Sequence, residues 1–292
     1  MKIALFGNTF RQEAIDTATH LLTTLQKKNI EVLIEASFFD FLKNCGSNIA
    51  VSPENTINNG DFSADIALSL GGDGTFLNTA KHVGNKGIPI LGINAGRLGF
   101  LSDVADNEIE TALEEIVNHQ YQIEERSVLQ LLTDNSDWQE YPFALNEIAL
   151  LKQDTSSMMT IHVNVKGELL NSYRADGLII STPTGSTAYS MSVGGPIVVP
   201  QSNTFILAPV ASHTLSIRPL IIPDNWELEI SVSSRSKSFL VALDGRSDVF
   251  PQSANLKIRK AEHTVKVLKR ANHTFFNTLK TKLMWGADKR ME

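Results

Sequence analysis

The chain of 292 residues predicts two domains of different class. The first is an α/β domain with a parallel sheet; the second is all-β, a layered sheet or sandwich; a terminal helical segment packs back on the first. Three patterns predict this. Residues 1–100 alternate apolar strand-like runs with helical periodicity, the pattern of a parallel sheet covered on both faces. From Tyr121 to Leu268 short alternating stretches separated by turn residues take over, as in a sandwich. Phe275–Trp285 then returns to helical spacing. The expected divisions are 1–105, 106–270 and 271–292.

In chain order, Ile3–Phe6 reads as a strand, Gln12–Lys28 as a helix, Glu31–Ala36 as a strand and Phe38–Asn44 as a short helix. Asn48–Ser63 is polar and turn-rich and reads as loop. Asp65–Leu70 is a strand, Thr75–Val83 a helix, Ile88–Ile93 a strand and Asn107–Asn118 a helix. The β-rich stretch runs through "SVLQLLT", "FALNEIALL", "MTIHVNVKG", "GLIISTP", "TFILAPV", "WELEISVSS", "SFLVALDG", "NLKIRK" and "HTVKVLK".

Composition narrows the function. With 42% hydrophobic residues the chain can bury a substantial core, and a formal net charge of −6 disfavours nonspecific nucleic-acid binding. No run approaches the roughly 20 apolar residues of a membrane span. "MKIALFGNTF" reads as a first strand rather than a signal peptide. The single cysteine, Cys45, forms no internal disulfide, and no Cys/His cluster suggests zinc. These features point to a cytoplasmic protein with neither a nucleic-acid nor a membrane partner.

Five stretches could carry chemistry. "GGDGT" (Gly71, Gly72, Asp73, Gly74, Thr75) follows an apolar strand. Glycines there let backbone N–H groups approach a phosphate, and a following helix adds its dipole. A carboxylate repels phosphate, so Asp73 makes sense as a proton acceptor for an attacking hydroxyl or as a partner of Mg²⁺. A plain strand–turn–helix joint capped by Asp73 or Thr75 would use the same residues. "DGLIISTPTGSTAYSMSVGGP" (176–196) joins a buried strand to a loop of hydroxyls and a tyrosine, suited to ribose, phosphate or a base. Asn146–Glu147 is a polar pair inside an apolar run, costly to bury without hydrogen bonds. "LDGRS" (Asp244, Gly245, Arg246) is by itself a β-turn signal. In "GINAGRLGF", a second glycine loop after a strand, Arg97 could meet phosphate or simply be exposed.

Together these residues resemble the NAD kinase family. The resemblance spans "GGDGT" at 71–75, "GINAGRLGFL" at 92–101, "NE" at 146–147, the long hydroxyl loop at 176–196, "HTLSIRPL" at 213–220 and "FFNTLKTKLMW" at 275–285. "GGDGT" is shared with lipid kinases of the diacylglycerol and sphingosine type; the hydroxyl loop separates the families. The resemblance implies transfer of phosphate from ATP to the 2′-hydroxyl of the adenosine ribose of NAD, with Mg²⁺ or another divalent cation. It implies a dinucleotide held between the domains, with Asp73 as the base and Gly71, Gly72, Gly74 and Thr75 as the phosphate-donor loop. The implied NAD contacts are Asp73, Gly74, Asn146, Glu147, Arg174, Asp176, Thr187, Ala188, Tyr189, Ser192, Ala211 and Arg246, with no protein ligand set for the metal. Asn78 departs from a histidine often found at its position. The family implies a homodimer or homotetramer, with Asp176 in some relatives serving a neighbouring subunit. The rival functions are a lipid kinase and a dinucleotide sensor without turnover.

Overall fold

The computed structural model describes residues 1–286 except 10–12, 48–50, 59, 97–98, 136–137, 139–140, 154–157, 215 and 272. The chain divides into two compact units, one of residues 1–125 with 265–292, the other of residues 126–264.

The first unit opens with β1 (Lys2–Gly7), α1 (Glu13–Lys27), β2 (Glu31–Glu35) and α2 (Ala36–Asn44). It continues with β3 (Thr56–Ile57), β4 (Ile66–Leu70), α3 (Asp73–Val83), β5 (Ile90–Ile93), β6 (Ser102–Val104), α4 (Ile109–Val117) and β7 (Tyr121–Arg126). β4 is buried at every position, as a strand covered on both faces must be. α2 is capped by Glu35, whose carboxylate accepts the N–H of Ser37 and Phe38; such a cap satisfies helix amides that have no internal acceptor.

The second unit holds β8 (Leu129–Thr133), β9 (Phe143–Ala144), β10 (Glu147–Lys152), β11 (Met159–Val165), β12 (Glu168–Ala175), β13 (Gly177–Ser181) and the short helix α5 (Tyr189–Ser192). It is completed by β14 (Thr204–Val210), β15 (Leu220–Pro223), β16 (Leu228–Ser234), β17 (Ser238–Leu243), β18 (Arg246–Pro251) and β19 (Leu256–Lys260). Two six-stranded sheets, ordered β15-β14-β13-β10-β17-β18 and β12-β11-β16-β19-β8-β9, share one apolar core. Alternation decides which side chains enter it. Ile148, Leu150, Leu178, Ile180, Phe205 and Leu207 face that core, while Ala149, Ile179, Ile206 and Ala208 form a second cluster with Val193 and Val198. β13 is therefore buried on both faces, which is why "GLIIS" shows no alternation.

The chain then returns to the first unit as β20 (Val265–Arg270) and α6 (Phe275–Leu283). The first sheet has the order β3-β2-β1-β4-β5-β20-β7, with β6 beside β5. β1 pairs in parallel with both β2 and β4, so the strand order reverses between β1 and β4.

The architecture has the expected class, with differences of detail. "HTVKVLK", expected in the β-rich part, supplies β20 beside β5, and α4 and β7 also lie in the first unit, so the observed divisions fall at 125 and 265. A short alternating strand looks alike in either sheet. The expected loop at 48–63 contains β3, which pairs with β2 through Ile34 and Glu35; two residues are too few for a periodicity. The helix expected from Thr75 starts at Asp73, with Gly72 at its cap and no side-chain cap bond. Asp73 is thus the first helical residue rather than the cap, and Thr75 lies inside the helix. Part of the hydroxyl loop is wound into a tight 3-10 turn, Thr184–Thr187, and then α5. Gln12 and Arg97 lie outside the described residues.

Candidate functional site

The reversal between β1 and β4 creates a crevice at the carboxyl ends of those strands, the usual ligand position in an open parallel sheet. A cleft of about 490 Å³ occupies it, lined by Gly7, Asn8 and Thr9 after β1, Ser37, and Gly72, Asp73, Gly74, Thr75 and Asn78. Gly71 has φ +153, and a side chain there would collide with Thr75, so the turn needs glycine. Gly72 and Gly74 are different: open space lies where their Cβ atoms would be. A ligand oxygen can approach the backbone there. The first amides of α3 have no acceptor within the helix, which makes this end receptive to an anion.

Asp73 is held by the loop that follows β5. Its Oδ2 accepts the Phe100 N–H at 2.9 Å, and its Oδ1 accepts Leu101 N–H at 2.9 Å and Ser102 N–H at 3.2 Å. A carboxylate offers about four acceptor positions, so one remains, on Oδ2. Gly99 is required beside it, since a Cβ there would collide with the carboxylate. "GGDGT" and "GINAGRLGFL" are thus one structure, joined through Asp73.

Among the described residues Asp73 is the only carboxylate lining the cleft. Among the described residues no group of three or more His, Cys, Asp or Glu could hold a metal. Mg²⁺ commonly binds through one or two carboxylates together with substrate phosphates. The residues present fit a divalent cation carried on a nucleotide, and do not form a cage of their own.

In the second unit the structure gathers one group of the expected residues at the Ser181 end of β13. Glu147 pairs with Ser181 across β10 and β13. The Asn146 carbonyl accepts the Thr182 N–H at 2.9 Å and the Ser181 hydroxyl at 3.3 Å. The Thr182 hydroxyl donates to the Leu145 carbonyl at 2.6 Å and accepts the Gly185 N–H at 3.1 Å. Gly185 packs so tightly on the Asn146 carbonyl that a side chain has no room. Ser186 bonds to Pro183 and Val198, and the Thr187 hydroxyl donates to the Thr184 carbonyl at 3.3 Å. Many of the hydroxyls that suggest ribose recognition therefore hold the loop itself. Tyr189 and Ser192 are exposed, and Thr187 and Ala188 are half-buried; these can still meet a ligand.

Glu147 is buried, and its pKa is pushed up to about 7, first by burial and then by the charge of Asp244; the N–H of Tyr189 opposes the shift. Its Oε2 is buried without a partner. Asp244 was legible only as a turn residue, yet its carboxylate accepts the N–H of Leu145, Asn146 and Glu147 at 2.7, 2.8 and 3.1 Å. Arg246 donates to the carbonyls of Tyr141 at 2.8 Å and Phe143 at 2.7 Å and lies over the Tyr141 ring. Both guanidinium termini thus brace this corner.

Arg174, Asp176 and Ala211 lie elsewhere, at the Gly177 end of β13. The Asp176 N–H donates to the Val210 carbonyl, and the Arg174 carbonyl accepts the His213 N–H. The Asp176 carboxylate pairs with Lys152 at 2.8 Å, and Ala211 takes φ +45. Four residue steps at about 3.3 Å separate the two groups by about 13 Å along the strand.

A glycine loop at the strand-order reversal of a parallel sheet, in a chain whose second unit is a sandwich with polar side chains gathered at its strand ends, defines a nucleotide-binding α/β protein. The family models narrow this: the ATP-NAD kinase N-terminal domain matches residues 3–121 and the ATP-NAD kinase C-terminal domain residues 145–270. The chain belongs to the ATP-NAD kinase family. The NAD kinase of Bacteroides fragilis is 52% identical over 291 residues, covering 100% of both chains. That of Flavobacterium psychrophilum is 44% identical, covering 99% of this chain and 100% of the relative. Among solved structures, an NAD kinase from Archaeoglobus fulgidus in complex with ATP has a TM-score of 0.75 and 25% identity, covering 97% of this chain and 99% of that one. Yeast NADH kinase complexed with NADH has a TM-score of 0.89 at 21% identity, covering 100% of this chain and 89% of that one, a likeness of fold.

Proposed function

We infer that the protein is an enzyme that phosphorylates the 2′-hydroxyl of the adenosine ribose of NAD with ATP, giving NADP. The observation that carries this reading is the oriented Asp73 carboxylate, flanked by glycines with open space before them, in a chain that matches both ATP-NAD kinase domains. The C-terminal match separates it from a lipid kinase sharing "GGDGT".

In this reading the loop Gly71–Thr75 receives the phosphates of ATP on the first amides of α3. The free position on Asp73 Oδ2 takes the 2′-hydroxyl proton as the ribose oxygen attacks the γ-phosphorus. The new O–P bond forms, the bond to the bridging oxygen breaks, and ADP leaves. A divalent cation carried on the nucleotide would neutralise charge on the phosphates, and Asp73 is the carboxylate of the cleft lining that could help hold it. Asn146, Glu147, Thr187, Ala188, Tyr189 and Ser192 hold the adenosine side of NAD. Arg174, Asp176 and Ala211 serve the nicotinamide side, and a homodimer or homotetramer lets them do so for a neighbouring subunit. The separation of the two groups by the length of β13 supports this. A cytoplasmic location belongs to the same reading and suits the exposed free thiol of Cys45.

The test is direct. The protein with NAD, ATP and Mg²⁺ is expected to form NADP, and Asp73→Asn to lose on the order of 10²–10⁴ in rate while remaining folded. Absence of NADP from the parent protein overturns the function. Near-normal turnover by Asp73→Asn overturns the base.

A further inference from the structure

Asp244 has no role in the function as stated, yet it is among the most constrained side chains of the second unit. It sits at the first of two turn residues between β17 and β18, with φ +48 followed by Gly245 at φ +83. That is a type I′ hairpin turn, for which Asn-Gly and Asp-Gly both serve. Turn geometry alone therefore asks for Asn as readily as Asp. The three N–H groups of Leu145, Asn146 and Glu147, all directed at its carboxylate, ask for Asp. The Asp244 N–H in turn donates to the Glu147 carbonyl at 3.1 Å, closing the link from both sides.

We propose that Asp244 is a positioning residue for NAD: it gathers the backbone of 145–147 so that Asn146 and Glu147 are presented to the dinucleotide in one fixed arrangement. This rests on the reading that the Asn146–Glu147 pair holds NAD. Without Asp244, three amides at the start of β10 would lack their acceptor inside the protein, and the strand entrance would be free to shift.

The carboxylate also sets the protonation of its neighbour. Asp244 and Glu147 are both pushed up by burial, and the charge of Asp244 pushes Glu147 up further. Of the two, Asp244 has more to stabilise its charge, three N–H groups and Arg246. Glu147 has a single N–H, from Tyr189, and an Oε2 without a partner. Below about pH 7 Glu147 therefore carries a proton and can donate to a ligand oxygen or ring nitrogen, which an ionised carboxylate cannot do. Among the described residues Asp244 is the charged group acting on Glu147; β13 opposes it with Ser181, α5 with the Tyr189 backbone, and Arg246 acts on Asp244.

The experiment measures NAD affinity by calorimetry without ATP, from pH 5.5 to 8.5, for the parent and Asp244→Asn, together with KM for NAD and for ATP. Asn keeps the turn but loses the charge and turns an N–H donor toward one of the three amides. The expected result is NAD affinity weakened about tenfold at neutral pH, with KM for ATP unchanged. The pH midpoint of NAD binding should move down, because the Asp244 charge that adds to the effect of burial on Glu147 is gone. A turn residue without a positioning role would not move that midpoint. Equal affinity and an unmoved midpoint overturn the proposal while leaving NADP formation intact. A parent protein that makes no NADP and binds no NAD overturns the proposal together with the reading beneath it. If Asp244→Asn does not fold, Asp244→Gly keeps the turn and gives the same comparison; failure of both to fold overturns a role confined to positioning.

Discussion

A carboxylate that receives three backbone N–H groups is fixed in orientation, and its remaining lone pairs define what it can do. Asp73 has one such position left, which suits an acceptor that orients a hydroxyl and takes its proton as transfer proceeds. Glu147 is the opposite case, a buried carboxyl with little to stabilise its charge. Its pKa rises from 4.5 to about 7 in the folded protein. Between those values the folded protein holds a proton that the unfolded chain has released, so this group's stabilisation is complete below pH 4.5 and is lost as pH rises toward 7. Glu147→Gln is neutral throughout and escapes that loss. Its stability relative to the parent is expected to improve from pH 5 to pH 8, by about 1.4 kcal/mol for each pH unit crossed within the window. Thermal melts at the two pH values check this; a difference independent of pH would show that Glu147 ionises like an exposed carboxyl.

At the scale of elements, the working parts are loops pinned by side chains to distant strands. The loop after β5 is tied to the start of α3 through Asp73, and Gly99 leaves the room for that contact. Gly99→Ala would push the carboxylate aside without altering it. Since a misplacement of about 1 Å at a reacting group can cost about 10²-fold, kcat is expected to fall about a hundredfold in a variant that still folds. Steady-state kinetics with a melting curve would decide it, and near-normal kcat would show that the three amides are dispensable for Asp73. In the second unit the hydroxyl loop obeys the same logic. Ser181, Thr182 and Ser186 face inward and bond to carbonyls, so the exposed Tyr189 and Ser192 are held on a frame made by their neighbours.

At the scale of the whole molecule, the two groups of residues proposed to hold the dinucleotide stand at opposite ends of β13, and Asp176 is paired with Lys152 at 2.8 Å. If Asp176 serves a neighbouring subunit, Asp73→Asn and Asp176→Ala proteins, each inactive alone, should recover part of their activity when their subunits are exchanged. Mixed assemblies then contain sites with both carboxylates intact. Unchanged inactivity after demonstrated exchange would place both residues in one subunit's site, and a monomer in solution would end the shared-site reading.

The sequence by itself determined the class of both units, because hydrophobic period separates buried parallel strands from alternating sandwich strands. It also determined the family, because "GGDGT" and the 176–196 loop are long, ordered strings. Asp73, Asn146 and Glu147 stood out as polar residues among apolar or glycine-rich neighbours. Tertiary structure decided the rest. β20 joins the first sheet although its pattern fits either unit, since an alternating strand says nothing about its partner. Asp244 read as a turn, because its turn is local while its three amides lie about a hundred residues earlier in the chain. The loop hydroxyls turned inward for the same reason: which carbonyl a hydroxyl meets depends on contacts between segments far apart in sequence, and only the folded chain brings them together.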